Sequence, residues 1–144
     1  MIRLTLAQLA ALAKAAETAW PREACALLEG VWDGGIARVN AVHFADNVAV
    51  EPERRFEVDP RVLARVHREL RGRPGELVGV WHSHPDGSAS LSETDRRSIY
   101  EPDLIWLLTP APEGRAVGPH AFRTAGEGDG VRFEAVPVEP APEP

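Results

Sequence analysis

Cysteine, lysine and long apolar runs are scarce in this 144-residue sequence. Cys25 is the single cysteine, so no disulfide can form within the chain, and a reducing compartment, the cytoplasm, is predicted. No apolar stretch approaches the ~20 residues that a membrane-spanning helix needs, so no membrane segment is expected. All of the 16 basic residues except Lys14 are arginines, a bias that by itself selects no function.

Positive charge is also in deficit. The 16 Lys and Arg stand against 22 Asp and Glu, and the net charge of −6 argues against nucleic-acid binding, which needs a basic surface. The apolar share of 44% and the charged share of 26% are ordinary for a globular protein. We expect a single domain over residues 1–136. The tail, residues 137–144, alternates Pro, Glu and Ala, and we expect it to be disordered.

An amphipathic helix is predicted from Leu4 to Ala19, where apolar residues recur at three- and four-residue spacing. Thr5 and Gln8 have the spacing of a capping box at its start. A secretory signal peptide is the alternative, because Arg3 precedes an apolar run. Gln8 and Lys14 interrupt that run, so the helical stripe explains the pattern better.

The rest of the chain mixes predicted strands with predicted helices. Strands are predicted at Cys25–Trp32, Ile36–Phe44, Leu77–Trp81 and Leu104–Thr109, with weaker candidates at Val117–Arg123 and Val131–Val136. Helices are predicted from Asp59 to Gly72 and from Ser92 to about Tyr100. The turn Asp33-Gly34-Gly35 makes the first two strands a hairpin, and residues 46–56 have no clear period. The predicted class is α/β or α+β, with a largely buried central sheet.

Two histidines end the strand that begins at Leu77. Side chains on a strand alternate between faces, so His82 and His84 point one way and Ser83 points the other. Two imidazoles side by side at the end of an apolar strand are a natural pair of metal ligands. The isolated histidines are expected to be structural, namely His43, His67 and His120.

A metal site needs a third ligand, and the nearby carboxylates are Asp86 and Asp95. Asp86 lies in a Pro-Asp-Gly turn, where Asp is common for turn reasons alone. Asp95 lies three residues after Ser92 in the first turn of a predicted helix, where it could also serve as part of a capping box. Two His and one Asp leave one position of a tetrahedral zinc open, the layout of a catalytic site. The same set could hold Fe(II) in an oxygenase.

These residues resemble the signature of the JAMM/MPN+ metalloprotease family: an upstream Glu, His-[Ser/Thr]-His-Pro, seven residues from the second His to a Ser, and two more to an Asp. The matching positions are Glu23, His82, Ser83, His84, Pro85, Ser92 and Asp95. The run Pro21–Gly30 also resembles the Pro-x-Glu-x-Cys-Gly-Leu-Leu-x-Gly run of bacterial members, with Ala26 in place of the usual Gly. The middle segment of the bacterial members is also resembled, at Asn47, Pro52, Phe56, Asp59 and Pro60. The likeness to the family covers about residues 5–110.

The resemblance implies a mixed sheet flanked by helices, similar to that of cytidine deaminases. It implies one zinc ion bound by His82, His84 and Asp95. Glu23 is then expected to take a proton from the attacking water and pass it to the leaving amine. Ser92 is expected to hydrogen-bond the oxyanion, a contact typically worth ~2.7–4 kcal/mol in the transition state.

The implied reaction is hydrolysis of a peptide or isopeptide bond after the C-terminal Gly-Gly of a ubiquitin-like or sulfur-carrier protein. The short chain leaves little room for insertions that grip ubiquitin, which favours a small carrier. Its extended tail could pair with an open sheet edge beside the zinc. The main alternative is a non-catalytic MPN-type scaffold without metal. A metallo-β-lactamase-like hydrolase is disfavoured, because that motif needs a His where this chain has Gly87.

Two other residues compete for chemical roles. Glu29 could share a face with Glu23 and act as the base, although a polar residue at the exit of the strand explains it better. Cys25 could be a nucleophile, but a Cys in an apolar strand is more often a small buried hydrophobe.

Seven arginines lie between Arg54 and Arg73, and the five acidic residues from Glu51 to Glu69 leave a local charge of about +2. A solvated helix face is the ordinary interpretation. A docking patch for an acidic partner is the alternative.

Overall fold

The structure is a computed structural model that describes residues 1–97, 103–126 and 130–142. Over these residues it is an α+β fold, which confirms the predicted class. The strands are β1 (Ile2–Thr5), β2 (Cys25–Asp33), β3 (Ile36–Ala45), β4 (Glu76–His84), β5 (Ile105–Pro110), β6 (His120–Ala125), β7 (Arg132–Val136) and β8 (Val138–Ala141). The helices are α1 (Leu6–Ala19), α2 (Pro60–Leu70) and α3 (Glu93–Arg97), with a 3₁₀ turn at Pro112–Gly114.

All the described strands form one mixed sheet in the order β7-β6-β5-β4-β2-β3-β1-β8. β2 and β3 pair antiparallel as the predicted hairpin. β4 lies inside the sheet, antiparallel to β2 and parallel to β5. The prediction of an open sheet edge beside the metal site is therefore wrong, because His82 is paired with Cys25 on one side and Leu108 on the other. The edges of the sheet are β7 and β8.

The two faces of the sheet carry separate cores. On one face, α1 packs through Leu12 and Ala16 against a cluster that includes Trp81 and Leu107. On the other face, α2 packs through Val66 against a smaller cluster that includes Trp106. Because neighbouring residues of a strand face opposite ways, Trp81 belongs to the α1 face and His82 to the α2 face. The histidine pair therefore lies on the side of the sheet that α2 covers.

Local hydrogen bonds explain where the helices begin. The Thr5 hydroxyl accepts a 3.1 Å bond from the Gln8 amide, and the Gln8 side chain accepts from the Thr5 amide at 2.9 Å, the predicted capping box. α1 thus begins at Leu6 rather than at the predicted Leu4. The Asp59 carboxylate accepts from the Arg61 amide at 2.9 Å, and Pro60 takes the first helical position, as the sequence predicted for α2.

The two ends of the chain depart from the sequence prediction. Ile2–Thr5 is a strand, and Val138–Ala141 pairs with it in parallel, where a disordered tail was expected from Pro137 to Pro144. A Pro-rich segment can be ordered when a neighbouring strand supplies its hydrogen-bond partners, which sequence composition does not reveal. Residues 143–144 lie outside the described part of the chain.

Some other helices and strands begin a few residues away from their predicted positions. α3 begins after Ser92, and its predicted end near Tyr100 lies outside the described residues. β6 begins at His120 rather than at the predicted Val117. In the portion of the chain that the structure describes, no helix has both the length and the apolar character to cross a membrane.

Candidate metal centre

The last residues of β4 bring two imidazoles together. His82 and His84 point to the same face, and their Nε2 atoms lie 3.1 Å apart. Both side chains are buried, with His82 fully enclosed. The predicted pairing of the two histidines by strand alternation is therefore observed in the structure.

Asp95 completes this cluster from the first turn of α3. Its Oδ2 atom lies 3.4 Å from His82 Nε2 and 3.2 Å from His84 Nε2. The same oxygen accepts a 2.8 Å hydrogen bond from the Ser92 amide, while Ser92 Oγ accepts from the Asp95 amide at 3.0 Å. One carboxylate oxygen thus serves the reciprocal cap and faces both histidines. The cap fixes the orientation of Asp95 toward the pair.

Glu23 reaches the same place from the residues before β2. A carboxylate oxygen of Glu23 and ring nitrogens of His82 and His84 lie within 4.8 Å of one another. Glu23 is buried, and its Oε1 atom has no hydrogen-bond partner among the described residues. Glu23 therefore lies beside the two histidines although almost sixty residues of chain separate them, a proximity that spacing alone could not establish.

Ser83 holds the Glu23 segment against β4. Because Ser83 points away from the histidines, its Oγ is free to accept a 2.8 Å hydrogen bond from the Ala24 amide. The Ser83 amide donates to the Ala24 carbonyl at 3.1 Å. These two bonds fix the residue next to Glu23. Ser83 therefore positions Glu23 relative to the histidines that flank Ser83 in sequence.

Asn47 ties the loop of residues 46–58 to the same segment. Its Nδ2 donates to the carbonyls of Glu23 at 2.9 Å, Arg55 at 3.0 Å and Pro52 at 3.4 Å. Its Oδ1 accepts from the amides of Ala49 at 3.1 Å and Glu57 at 3.0 Å. The Glu23 amide in turn donates to the Pro52 carbonyl at 2.7 Å. The loop and Glu23 are thus one connected unit.

Aromatic side chains and a serine orient the imidazoles. Phe56 stacks on His82 with ring centroids 4.4 Å apart, and Trp106 meets the same ring edge-on at 5.9 Å. His84 Nδ1 lies 2.8 Å from Ser88 Oγ and 3.3 Å from the Ser88 carbonyl. Because a carbonyl can only accept, the Ser88 contacts favour a proton on His84 Nδ1, and in the neutral imidazole that tautomer leaves a lone pair on Nε2.

Burial and hydrogen bonds together set the charge states of the site. Burial raises the pKa of Glu23 from 4.5 to about 8, although the positive charge of His84 opposes it. It lowers the pKa of His82, although Asp95 opposes that shift. Burial also acts against the charged form of Asp95, but hydrogen bonds with His82 and His84 outweigh it and hold the pKa of Asp95 well below its usual range. Burial likewise acts against the charged form of His84, but the hydrogen bond with Asp95 outweighs it and raises the pKa of His84. Asp95 therefore favours a positive charge here, either a proton on His84 or a metal cation.

The donor set fits a divalent cation such as zinc. Two imidazole nitrogens and carboxylate oxygens converge on one buried point, and these are ordinary zinc ligands. The unpartnered Oε1 of Glu23 and the proton on His84 Nδ1 fit the same arrangement, because a ligating His usually donates its other N–H. A cleft of about 410 Å³ opens beside this point and provides access for a substrate. It is lined by Glu23, Glu53, Arg54, His84, Pro85, Asp86, Ser88 and Ser92.

The competing residues lie in other environments. Asp86 lines the cleft, and its Oδ1 accepts from the Ser88 amide at 2.9 Å, as expected for a turn residue. Glu29 binds His43 at 2.9 Å and Arg73 at 2.7 Å, so its carboxylate is already committed. Cys25 is buried, and burial raises the pKa of its thiol to about 12, which disfavours a nucleophilic thiolate.

Three supporting residues were missed as site residues by sequence reasoning. Ser88 orients His84, and its only local signal is its place after the Pro-Asp-Gly turn. Asn47 and Phe56 belong to a loop without periodicity, so nothing local marked Asn47 as a hub or Phe56 as the cover of His82. Only their place in the resembling middle segment of the sequence drew notice to them.

Comparison with known proteins finds a matching family, a similar protein and similar solved structures. The family model of prokaryotic homologs of the JAB domain matches residues 5–124. A desampylase of Haloferax volcanii is 32% identical over 118 residues, which cover 82% of this chain and 78% of that protein. The solution structure of a Desulfitobacterium hafniense protein has a TM-score of 0.79 at 31% identity, covering 98% and 94% of the two chains. A Salinibacter ruber protein, also solved in solution, has a TM-score of 0.69 at 31% identity, covering 99% and 94%.

Proposed function

The chain belongs to the family of prokaryotic homologs of the JAB domain, and from this premise we propose that it is a zinc-dependent peptidase or isopeptidase. Its substrate is a ubiquitin-like or sulfur-carrier protein, cleaved after the C-terminal Gly-Gly. The observation that carries the proposal is the convergence of Glu23, His82 and His84 within 4.8 Å, with Asp95 beside the histidines. The similarity to a desampylase supports a metal-dependent hydrolase of isopeptide type.

We assign one zinc ion per chain to His82, His84 and Asp95. Zinc at such a site lowers the pKa of a water molecule to about 7 and polarises a substrate carbonyl. The protein contributes the fixed orientation of its ligands. The Ser88 contact holds His84, the Phe56 ring holds His82, and the Ser92 amide holds Asp95. Each of the three residues that would hold the ion is thus itself held by a neighbour.

Glu23 is the proton carrier in the proposed reaction. Its carboxylate accepts a proton from water as the water oxygen bonds to the scissile carbonyl carbon. The C–N bond then breaks, and Glu23 returns the proton to the departing nitrogen, so the products are a carboxylic acid and an amine. Burial supports this role because it raises the pKa of Glu23 to about 8 in the metal-free protein. A cation held beside Glu23 would lower that pKa again, which leaves a carboxylate that can accept the proton and return it.

Ser92 is assigned to the oxyanion that forms at the carbonyl oxygen. It lines the cleft with Glu23 and His84, and its Oγ accepts from the Asp95 amide, so the hydroxyl proton remains available for donation. The substrate assignment is supported by the 32% identity to a desampylase. We place the reaction in the cytoplasm, in keeping with a single buried cysteine.

A cleavage assay tests the proposal. Zinc-loaded protein is incubated with a panel of small carriers that end in Gly-Gly, each joined either to a C-terminal amino acid or to a lysine side chain. Mass spectrometry is expected to show release after Gly-Gly, lost in E23Q. Metal analysis of protein purified without added zinc runs in parallel. Absence of both metal and Glu23-dependent release would overturn the proposal and favour the non-catalytic scaffold.

A further inference from the structure

Arg54 lies at the mouth of the cleft, and the proposed reaction gives it no role. It lines the cleft together with Glu23, His84 and Ser92. Among the described residues that line this cleft, it is the single arginine or lysine. The lining also contains His84 and the carboxyl groups of Glu23, Glu53 and Asp86. Arg54 is therefore the one permanently charged cation that the described lining offers to a negative group.

The position of Arg54 is fixed by its backbone. The amides of Arg54 and Arg55 donate to the Glu51 carbonyl at 3.0 and 3.1 Å, which closes a turn. Asn47 holds that turn by the carbonyls of Pro52 and Arg55. The Glu23 amide donates to Pro52 within the same turn at 2.7 Å. Arg54 is thus carried on the segment that is bonded to the backbone of Glu23.

The guanidinium of Arg54 has no ion pair or hydrogen bond within the described residues. This separates it from other arginines of the same cluster. Arg61 binds Asp59 at 2.8 Å, Arg73 binds Glu29 at 2.7 Å, and Arg65 binds Glu69 at 3.7 Å. Those three guanidiniums already have carboxylate partners. Arg54 keeps its planar fork of donors free, although carboxylates line the same cleft, and that fork matches a carboxylate in a bidentate manner.

We propose that Arg54 binds the α-carboxylate of the amino acid that is released, and so selects a linear C-terminal extension over a lysine-linked protein. The inference rests on the proposed function. The α-carboxylate is separated from the leaving nitrogen by one carbon atom. A receptor for it must therefore lie in the cleft that holds Glu23, which protonates that nitrogen. An isopeptide bond to a lysine side chain carries no carboxylate at this place.

The test compares two substrates that differ in one group. A carrier ending in Gly-Gly-Cys is made as the free acid and as the C-terminal carboxamide, so that any contact of the thiol with the metal is common to both. The wild type is expected to cleave the acid with kcat/KM roughly tenfold or more above the amide, the usual scale of a charge-assisted hydrogen bond. In R54Q that ratio falls close to one, and R54K retains part of it because it keeps the charge without the fork.

Arg55 provides the matched control. Arg55 lies on the same turn but does not line the cleft. Its positive charge acts on Glu23 and partly offsets the rise that burial causes in the pKa of Glu23. R55Q is therefore expected to change the cleavage of acid and amide by the same factor. A second measurement, of binding, does not depend on cleavage. The acid tail is expected to bind E23Q more tightly than the amide tail in calorimetry, and this difference disappears in E23Q/R54Q.

The outcomes separate this inference from the proposed function. Equal kcat/KM for acid and amide in the wild type, or an acid preference that survives in R54Q, overturns the role of Arg54 and leaves the hydrolase intact. Preferred cleavage of a lysine-linked conjugate overturns it as well. Failure of the wild type to cleave any carrier overturns the proposed function instead, and the calorimetric comparison then decides on Arg54 alone.

Discussion

Two buried polar atoms, Glu23 Oε1 and His82 Nδ1, have no hydrogen-bond partner within the described residues. Leaving such an atom unsatisfied typically costs about 1–3 kcal/mol. Glu29 shows the alternative, since its carboxylate is satisfied by His43 and Arg73. The contrast between the two glutamates supports the proposed assignment of Glu23, rather than Glu29, to the reaction.

Metal-free protein is expected to lose stability as pH rises, because of Glu23. Its pKa is about 8 in the folded state against 4.5 ordinarily, so the folded state holds this proton where the unfolded state has released it. The stabilisation is fully present below pH 4.5 and is lost as pH rises through about 8, for a change of roughly 2–4 kcal/mol. Urea unfolding with a chelator, from pH 4.5 to 8.5, measures it. E23Q lacks this proton and is expected to show a flatter profile, and parallel profiles would contradict the assignment.

The third metal ligand can be decided with two isosteric substitutions. D95N removes the charge that faces His82 and His84, so we expect zinc affinity to fall by about 100-fold or more in a chelator competition. D86N changes the turn carboxylate that accepts from the Ser88 amide, and its zinc affinity is expected to stay within about threefold of the wild type. The reverse ranking would make Asp86 the ligand.

At the scale of elements, β4 is the part of the site that sequence could predict. Its alternation put His82 and His84 on one face, and the helix-start signal at Ser92 put Asp95 in a first turn. Both signals are local. The position of Phe56 over His82 is not, because it depends on where the loop of residues 46–58 folds back. The positioning role of Asn47 could not be predicted from a local pattern either, because its partners are backbone atoms that the fold of the same loop brings close.

N47A is expected to loosen this loop without unfolding the protein. The substitution removes contacts to three carbonyls and two amides, and we expect the free energy of unfolding to fall by about 1–2 kcal/mol. Misplacement of Glu23 is expected to lower kcat by about 10–100-fold. Hydrogen exchange of the Val48 and Glu57 amides reports the loop directly. N40A, at an exposed position of β3, is the control, and equal exchange in the two variants would remove Asn47 from its positioning role.

G30A is expected to break the pairing of β2 and β3. A Cβ atom at Gly30 would lie 2.8 Å from the Arg38 carbonyl carbon and 3.1 Å from Val39 Cα, both backbone atoms that cannot rotate away. We expect a loss of about 2–3 kcal/mol in urea unfolding. G130A provides the control, because a Cβ atom there meets nothing within 4 Å. A G30A midpoint equal to that of G130A would show that the two strands can shift apart at little cost.

At the scale of the whole molecule, the site and the chain ends lie in different parts of the same sheet. β4 carries the histidines, and β2, β3 and β1 stand between it and β8. The central strands were predicted because their apolar runs are long and bounded by turn residues. β1 and β8 are short, and their pairing joins the first residues to the last, so no local pattern revealed it. A single domain over residues 1–136 remains a prediction, and β8 continues its sheet beyond that boundary.

Deletion of residues 137–144 tests whether the tail belongs to the fold. Ile2 and Leu4 are fully buried, and β8 pairs with both, while the Ile2 amide donates to the Pro137 carbonyl at 3.0 Å. Removing the segment leaves β1 as an edge with unpaired backbone groups, so we expect the free energy of unfolding to fall by about 2–4 kcal/mol. Deletion of residues 143–144 alone keeps β8 and is the control. Cleavage at 25 °C is expected to persist in both chains, because the site lies on β4. If the longer deletion leaves the urea midpoint unchanged, β8 contributes no stability in solution, and a disordered tail becomes the better description.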